Sequence, residues 1–288
     1  MKFFNLLFLL ILALNITACD AANNDPSSTQ GGGNGDADAD ADGDTDADID
    51  IDASVSTGDC ATLPQYDGNG SITWYTFSQG TTLVNCSYPT YQNNPDEVGF
   101  VYTPDTSAGT YFAAMNTADY NNAGMCGGCV EITRGSTGAS VTVTVVDQCP
   151  VATNSLCTEG HLDLSVEAYT QLADQSAEGH LGDGVDNTIS WKFVPCPVGD
   201  NTIRVKLKEP DNIYWNQLLI EGARYPIAAV TVNGVALTQT DYNYWGDMDR
   251  APFDIQLTDI NGSVISFTLQ ERAAGDIDTG AQFPLCGS

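Results

Sequence analysis

The sequence predicts an all-β protein in which a compact barrel is followed by a β-sandwich, and three features of the 288 residues carry that reading. Ser140 to Val146 alternates Val and Thr, the period-two pattern of a strand with one face on a core. Asn233-Gly234 and Asn261-Gly262 are strong hairpin signals set between apolar runs. Pro195-Cys196-Pro197-Val198-Gly199 interrupts the pattern between the two halves. The expected boundaries are 60–196 for the barrel and 197–288 for the sandwich.

The chain opens on an export signal. Lys2 supplies the positive charge, and Phe3 to Leu14 is apolar except for Asn5. That run is too short for a stable span, which needs ~20 apolar residues. Ile16-Thr17-Ala18-Cys19 places small residues before a cysteine and looks like a bacterial lipoprotein processing site. Residues 1–18 are therefore expected to be removed and Cys19 to carry a lipid; ordinary secretion with Cys19 free is the alternative.

Residues 20–59 hold twelve aspartates and no basic residue, with Gly31-Gly32-Gly33 and an Asp-Ala alternation from Asp36 to Asp48. Like charges repel and little apolar surface offsets ordering, so 19–59 reads as a disordered acidic tether. As a coil it would span ~35 Å. Asp38, Asp40, Asp42, Gly43, Asp44 and Asp46 match early positions of a calcium loop, but the twelfth position, which needs a bidentate Glu, is Ile49. No metal and no cofactor are expected.

The other eight cysteines, Cys60, Cys86, Cys126, Cys129, Cys149, Cys157, Cys196 and Cys286, are even in number in an exported chain. They are expected to form disulfides, with the connectivity open. Cys126-Gly-Gly-Cys129 lacks a second close pair, so structural bridges are favoured over zinc.

Within the barrel unit, strands are expected at 71–77, 98–102, 111–115, 129–133, 140–146 and 189–194. One helix is expected after Ser165, from the spacing of Leu164, Ala168 and Leu172. The second unit is nearly all strand: 202–208, 217–220, 227–232, 253–257 and 264–268. From residue 60 on, 26 acidic side chains face 8 basic ones, a net charge of about −18. That excludes nucleic acid and anionic lipid surfaces as partners, since both require positive charge; membrane contact is left to the lipid, and a monomer is expected.

Two groups of residues point to chemistry. Asp147 ends the Val/Thr run and Asp163 precedes the expected helix, positions from which carboxylates reach a groove. Each also has a local reading, Asp147 ordering its turn and Asp163 satisfying helix-start amides. The second group is aromatic: Tyr214-Trp215, Tyr242, Tyr244 and Trp245 lie among polar residues. Flat rings exposed in a row suit the apolar faces of sugar rings at low entropic cost.

With these residues in hand, the chain resembles the expansin family in its bacterial two-domain form. The likeness rests on Thr73-Trp74-Tyr75, on Ala118-Asp119-Tyr120 leading to Gly124 and Cys126 to Cys129, and on Val146-Asp147-Gln148-Cys149-Pro150. It continues through His161-Leu162-Asp163-Leu164-Ser165, Ile189-Ser190-Trp191-Lys192-Phe193, Tyr214-Trp215 and Asp241-Tyr242-Asn243. The resemblance implies a six-stranded double-psi β-barrel, then an immunoglobulin-like sandwich that binds cellulose or a related neutral β-glucan. It implies loosening of wall polysaccharide without hydrolysis. Groove residues would fall on Thr73, Asp147 and Asp163, with no catalytic residue, and the binding platform on Tyr214, Trp215 and Tyr242 with Lys208 beside it. The first platform position is more often tryptophan, and bacterial members carry tyrosine where this chain has Cys149.

Related family-45 cellulases share the barrel and place a base aspartate where this chain has Phe77. An inverting hydrolysis then lacks the group that activates water; Asp119 and Asp67 are the substitutes from elsewhere. Two alternatives stand beside the main reading. One is a lytic enzyme, either a weak glucanase or a transglycosylase acting on peptidoglycan; the other is a carbohydrate-binding or adhesion module.

Overall fold

The computed structural model describes residues 49–51, 60–76, 84–88, 111–174, 178–182, 188–208, 216–248, 250–272 and 275–287. Its first strand, β1 (Ile49–Ile51), falls inside the stretch read as a tether and corrects that reading at its end. The Ile-Asp-Ile alternation gives the chain a strand pattern, and Ile49 pairs with Leu269 and Ile51 with Phe267 on a sandwich strand. The signal segment, Cys19, the calcium-loop aspartates and the expected strand 98–102 lie outside the described residues.

The barrel is built from β2 (Gln65–Tyr75), β3 (Phe112–Asn116), β4 (Cys129–Arg134), β5 (Ala139–Cys149), β6 (His161–Ser165), the two-residue β7 (Leu181–Gly182) and β8 (Ile189–Val194). Two single-turn helices, α1 (Thr117–Tyr120) and α2 (Val166–Tyr169), follow β3 and β6. The order β6-β3-β5-β4-β8-β2 closes because β2 also pairs with β6, giving six strands with β7 appended to β2. Closure removes exposed edges. Two pairings are parallel, β2 with β6 and β3 with β5, and the rest are antiparallel. Register shifts at Tyr66/Gly70 and Ala113/Ala114 let these strands bend around the small barrel. Ile72, Val130, Ile132, Val145, Leu162 and Leu164 fill the interior, all at 0% exposure.

The expected helix after Ser165 is present but is a single turn. His161–Ser165 is a fully buried strand, and only Val166–Tyr169 is helical. Ser165 does cap that turn, its side chain accepting from the Ala168 amide. Leu164, Ala168 and Leu172 are all buried, but Leu164 belongs to the barrel strand and Leu172 lies beyond the helical turn, so the helix is shorter than their spacing suggests.

The sandwich strands are β9 (Arg204–Lys208), β10 (Gln217–Glu221), β11 (Ile227–Val232), β12 (Val235–Ala236), β13 (Thr238–Gln239), β14 (Trp245–Gly246), β15 (Phe253–Asp259), β16 (Val264–Leu269) and β17 (Asp276–Asp278). They form two five-stranded sheets, β1-β16-β15-β11-β12 and β13-β14-β10-β9-β17. Their facing sides bury Val205, Leu207, Leu218, Val230, Phe253, Ile255, Leu257 and Phe267. At the β11–β12 hairpin Asn233 (φ 53°) and Gly234 (φ 76°) both take the left-handed conformation that a type I′ turn requires.

The eight cysteines pair as Cys60–Cys286, Cys86–Cys126, Cys129–Cys196 and Cys149–Cys157. Cys126 and Cys129 therefore serve different bridges. Barrel and sandwich belong to one compact unit, Thr45–Ser288. The segment before β2 is fastened to the sandwich end by the Cys60–Cys286 bridge and by the Ala61 amide donating to Asn261 Oδ1 at 2.8 Å.

Candidate functional site

Strand pairing brings together the residues expected to line a groove. Asp163 on β6 lies opposite Thr73 on β2 and, on its other side, opposite Ala114 on β3. Ala114 in turn lies opposite Asp147 on β5. Paired residues share a face, so Thr73, Asp163, Ala114 and Asp147 form one row across four strands. At about 4.8 Å per strand the two aspartate Cα atoms are roughly 10 Å apart, separated by one methyl group.

The two carboxylates do different jobs. Thr73 Oγ1 donates to Asp163 Oδ1 at 2.7 Å, and both residues are mostly buried, at 8% and 9% exposure. Asp147 Oδ1 accepts the backbone amides of Asn85 at 3.0 Å and Gln148 at 2.8 Å. The turn-ordering reading of Asp147 thus holds, whereas among the described residues Asp163 satisfies no helix amide. Burial pushes Asp163 above the ordinary carboxylate range; the Thr73 bond opposes this and the Asp147 charge adds to it. Burial also raises Asp147, opposed by its two amide donors. Tyr75, two residues beyond Thr73, packs on Ala114 and the Cys149–Cys157 bridge. Burial, then the charges of Asp147 and Asp163, holds its phenol protonated.

His161 adjoins this row. Its Nδ1 is 2.8 Å from Ser71 Oγ and its Nε2 is 2.9 Å from Thr73 Oγ1. The preceding Gly160 is left-handed at φ 84°, and a Cβ there would lie 2.7 Å from the Tyr66 ring. Burial first, and His180 second, push His161 down to about 4, so the folded imidazole stays neutral where an unfolded one, near 6.5, takes a proton. A depressed pKa contributes stability above the unfolded value that is lost as pH falls through the folded one. Between pH 6.5 and 4 the loss should reach ~3 kcal/mol. His161→Phe cannot take the proton, so denaturant melts at pH 7 and 4.5 should show a pH-dependent loss smaller by that amount; equal losses would contradict the assignment.

The aromatic side lies against a barrel loop. The turn from β13 to β14 is held by residues 84–88: Ser87 Oγ donates to Tyr242 O at 2.6 Å and Asn85 Nδ2 to Asp241 O at 3.4 Å. Asn243, buried and left-handed (φ 66°), donates to Cys86 O at 3.2 Å and to Tyr88 Oη at 3.1 Å. Gln239 Nε2 bonds both Asn243 Oδ1 and Ala123 O. The same Asn85 whose amide reaches Asp147 thus reaches the segment carrying Tyr242. Beside this junction is a cleft of about 580 Å³ lined by Val84, Asn85, Ser87, Lys208, Tyr242 and Tyr244 among others. Tyr242 is 61% exposed, and Lys208 Nζ sits 4.4 Å from the Tyr244 ring centroid and 3.2 Å from Gln217 Oε1.

Of the residues expected from sequence, Thr73, Asp147 and Asp163 come together in the row, and Tyr242 and Lys208 share the cleft. Tyr214 and Trp215 lie outside the described residues, as does Phe77. Trp245 is buried in the sandwich core and is no platform residue. Asp119 and Asp67 both have hydrogen-bond partners. Asp119 accepts Tyr66 Oη, Asn116 Nδ2 and the Gly160 amide. Asp67 lies six residues back along β2, roughly 20 Å from Thr73 at strand rise, beside Ser190. Sequence reasoning passed over Asn85, Ser87 and Ala114 and gave His161 and Asn243 no role. A strand reading of 161–165 was the available signal, since it puts His161 and Asp163 on one face.

A double-psi barrel family model described as lytic transglycolase matches residues 69–182. Expansin-like protein 5 of Dictyostelium discoideum is 34% identical over 215 residues, 70% of this chain and 86% of the relative. The chain belongs to the expansin family. Expansin-like protein 1 of the same organism is 30% identical over 225 residues, 73% of this chain and 75% of the relative. Crystal structures of Clavibacter michiganensis expansin, one apo and one of a point mutant in complex with cellohexaose, each align with a TM-score of 0.58 and 29% identity. Each covers 75% of this chain and 98% of the bacterial protein. As in the sequence-based expectation, this expansin is all-β, with a closed six-stranded barrel and further sheets.

Proposed function

We propose that this expansin loosens cell-wall polysaccharide without hydrolysis, holding one neutral β-glucan chain across the barrel row and the aromatic side of the sandwich. The observation that carries the reading is the unequal pair of carboxylates. Asp163 is oriented by Thr73, while Asp147 has its Oδ1 committed to two backbone amides. One oriented carboxylate grips a sugar hydroxyl, but without a free partner it does not activate water across the ring. Tyr242 and Lys208, with Tyr214 and Trp215 as proposed neighbours, form the platform. The protein is exported, as its family is; we assign a lipid on Cys19 as the envelope anchor and a monomer as the working form.

The family model's description favours a second reading, a lytic enzyme on peptidoglycan or glucan. Its glucanase form requires an acid and a base, and Asp119 and Asp67, the substitutes for the base, have other partners; its transglycosylase form requires an acid/base in the groove. Cell-wall strips under load and purified sacculi separate the two. Creep of the strips with no reducing ends and no muropeptides released is expected; release from either polymer at enzymatic rates would replace the proposal with the lytic reading.

Tyr242→Ala removes an exposed ring without touching a core. Cellulose pull-down should weaken about tenfold, with an unchanged melting temperature. Unweakened binding would remove Tyr242 from the platform.

A further inference from the structure

A buried string of four side chains leads into the row: Ser71, His161, Thr73 and Asp163, at 4%, 0%, 8% and 9% exposure. Its contacts are Ser71 Oγ to His161 Nδ1 at 2.8 Å, His161 Nε2 to Thr73 Oγ1 at 2.9 Å, and Thr73 Oγ1 to Asp163 Oδ1 at 2.7 Å. The hydrogen inventory gives the string a direction. An ionised Asp163 only accepts, so the single Thr73 hydrogen goes to Oδ1. Thr73 Oγ1 then accepts, and Nε2 must carry the proton. Nδ1 is left bare, to accept from the Ser71 hydroxyl.

We infer that His161 is a positioning residue: as its neutral Nε2–H tautomer it turns the Thr73 hydroxyl onto Asp163 Oδ1 and leaves Oδ2 for the sugar. The geometry suits an imidazole. Ser71 and Thr73 stand two residues apart on one face of β2, roughly 7 Å along the strand, and the ring's two nitrogens bridge them. Cys149 Sγ lies 4.0 Å from Oδ2, but in a disulfide it has no proton to give. Among the described residues no N–H or O–H reaches Oδ2. A polysaccharide hydroxyl is a donor of the right kind for that oxygen. The role rests on the reading of Asp163 as the groove carboxylate that grips glucan.

The charged and titratable groups around His161 are few. The His180 ring, on the segment entering β7, stands 6.1 Å away edge-on. From the α1 side, Asn116 Nδ2 bonds both the His161 carbonyl, at 3.2 Å, and Asp119 Oδ2, at 2.6 Å. The Asp147 charge acts on Asp163, at the far end of the string. Burial and His180 keep the ring neutral at working pH, in accord with a one-proton tautomer.

The first test uses the wild-type chain and needs no variant. Imidazole 15N spectra at pH 7 should show His161 with a protonated, pyrrole-type Nε2 and a bare, pyridine-type Nδ1. The opposite tautomer, or an imidazolium, overturns the inference. The second test is functional. His161→Phe should lower wall creep about tenfold and leave cellulose pull-down within about twofold. It should also raise the pH midpoint of creep by about one unit, because Asp163 loses an oriented donor to its charged form. His161→Gln, whose amide both donates and accepts, should recover part of the creep. A merely structural histidine would lower creep without moving the midpoint, and that result also overturns the inference. If His161→Phe does not fold, the tautomer still decides. Wild-type protein that neither binds cellulose nor causes creep would sink the proposed function instead, whatever the tautomer.

Discussion

Asp163→Asn should bring wall creep to background while cellulose pull-down stays within about twofold of wild type. Asparagine keeps the shape and still presents one oxygen to Thr73, so the string leading to it survives. What changes is the second position, where an acceptor oxygen beside Cys149 becomes an amide that donates. A sugar hydroxyl bonded to a charged acceptor is worth ~1.5–3 kcal/mol, or about a tenfold to hundredfold change in occupancy of the strained state. Pull-down is spared if the proposed platform ring, Tyr242 on the sandwich, grips the crystalline polymer. Stability should rise slightly, since burial is the largest influence on this carboxyl and disfavours its charged form. Creep at wild-type rate, or a lower melting temperature, would show that Asp163 is a structural carboxylate.

Asn243→Gly should produce the largest loss of stability among single changes at the site, ~3–5 kcal/mol. Glycine accepts the left-handed backbone at φ 66°, so the change isolates hydrogen bonds from strain. Two buried partners, Cys86 O and Tyr88 Oη, and the Gln239 amide lose their contact, and each buried polar group left unmet costs ~1–3 kcal/mol. For a chain this size the melting temperature should drop by roughly 10 °C. Below the new melting point creep should fall more than binding, because the turn carrying Tyr242 is no longer locked to the loop that Asp147 orders. Equal losses of creep and binding would mean the junction holds the fold but does not align a glucan track.

Much of this molecule is written in short-range patterns, and what is missing follows from distance along the chain. Val141, Val143 and Val145 alternate with threonines, and that pattern alone places β5. Asn233-Gly234 places a hairpin because two adjacent positive-φ residues have few other uses. Asp163 stands out by its place before the expected helix and Thr73 by family likeness, yet their contact spans 90 residues and exists only because β2 and β6 run parallel side by side. His161 was invisible as a partner for the same reason, compounded by the reading of its neighbours as a helix start. Asn243 meets Cys86 across 157 residues, through a junction between two units that local periodicity treats separately. The disulfide map belongs in this class too: the Cys60–Cys286 bridge joins positions 226 apart.

The most direct measurement is amide chemical-shift mapping of the full chain during titration with cellohexaose. A single glucan track requires Thr73, Asp163 and Tyr242 to shift together along one binding curve, with the 84–88 loop between them. Shifts confined to Tyr242 and its neighbours, with the barrel row silent at saturation, would contradict it.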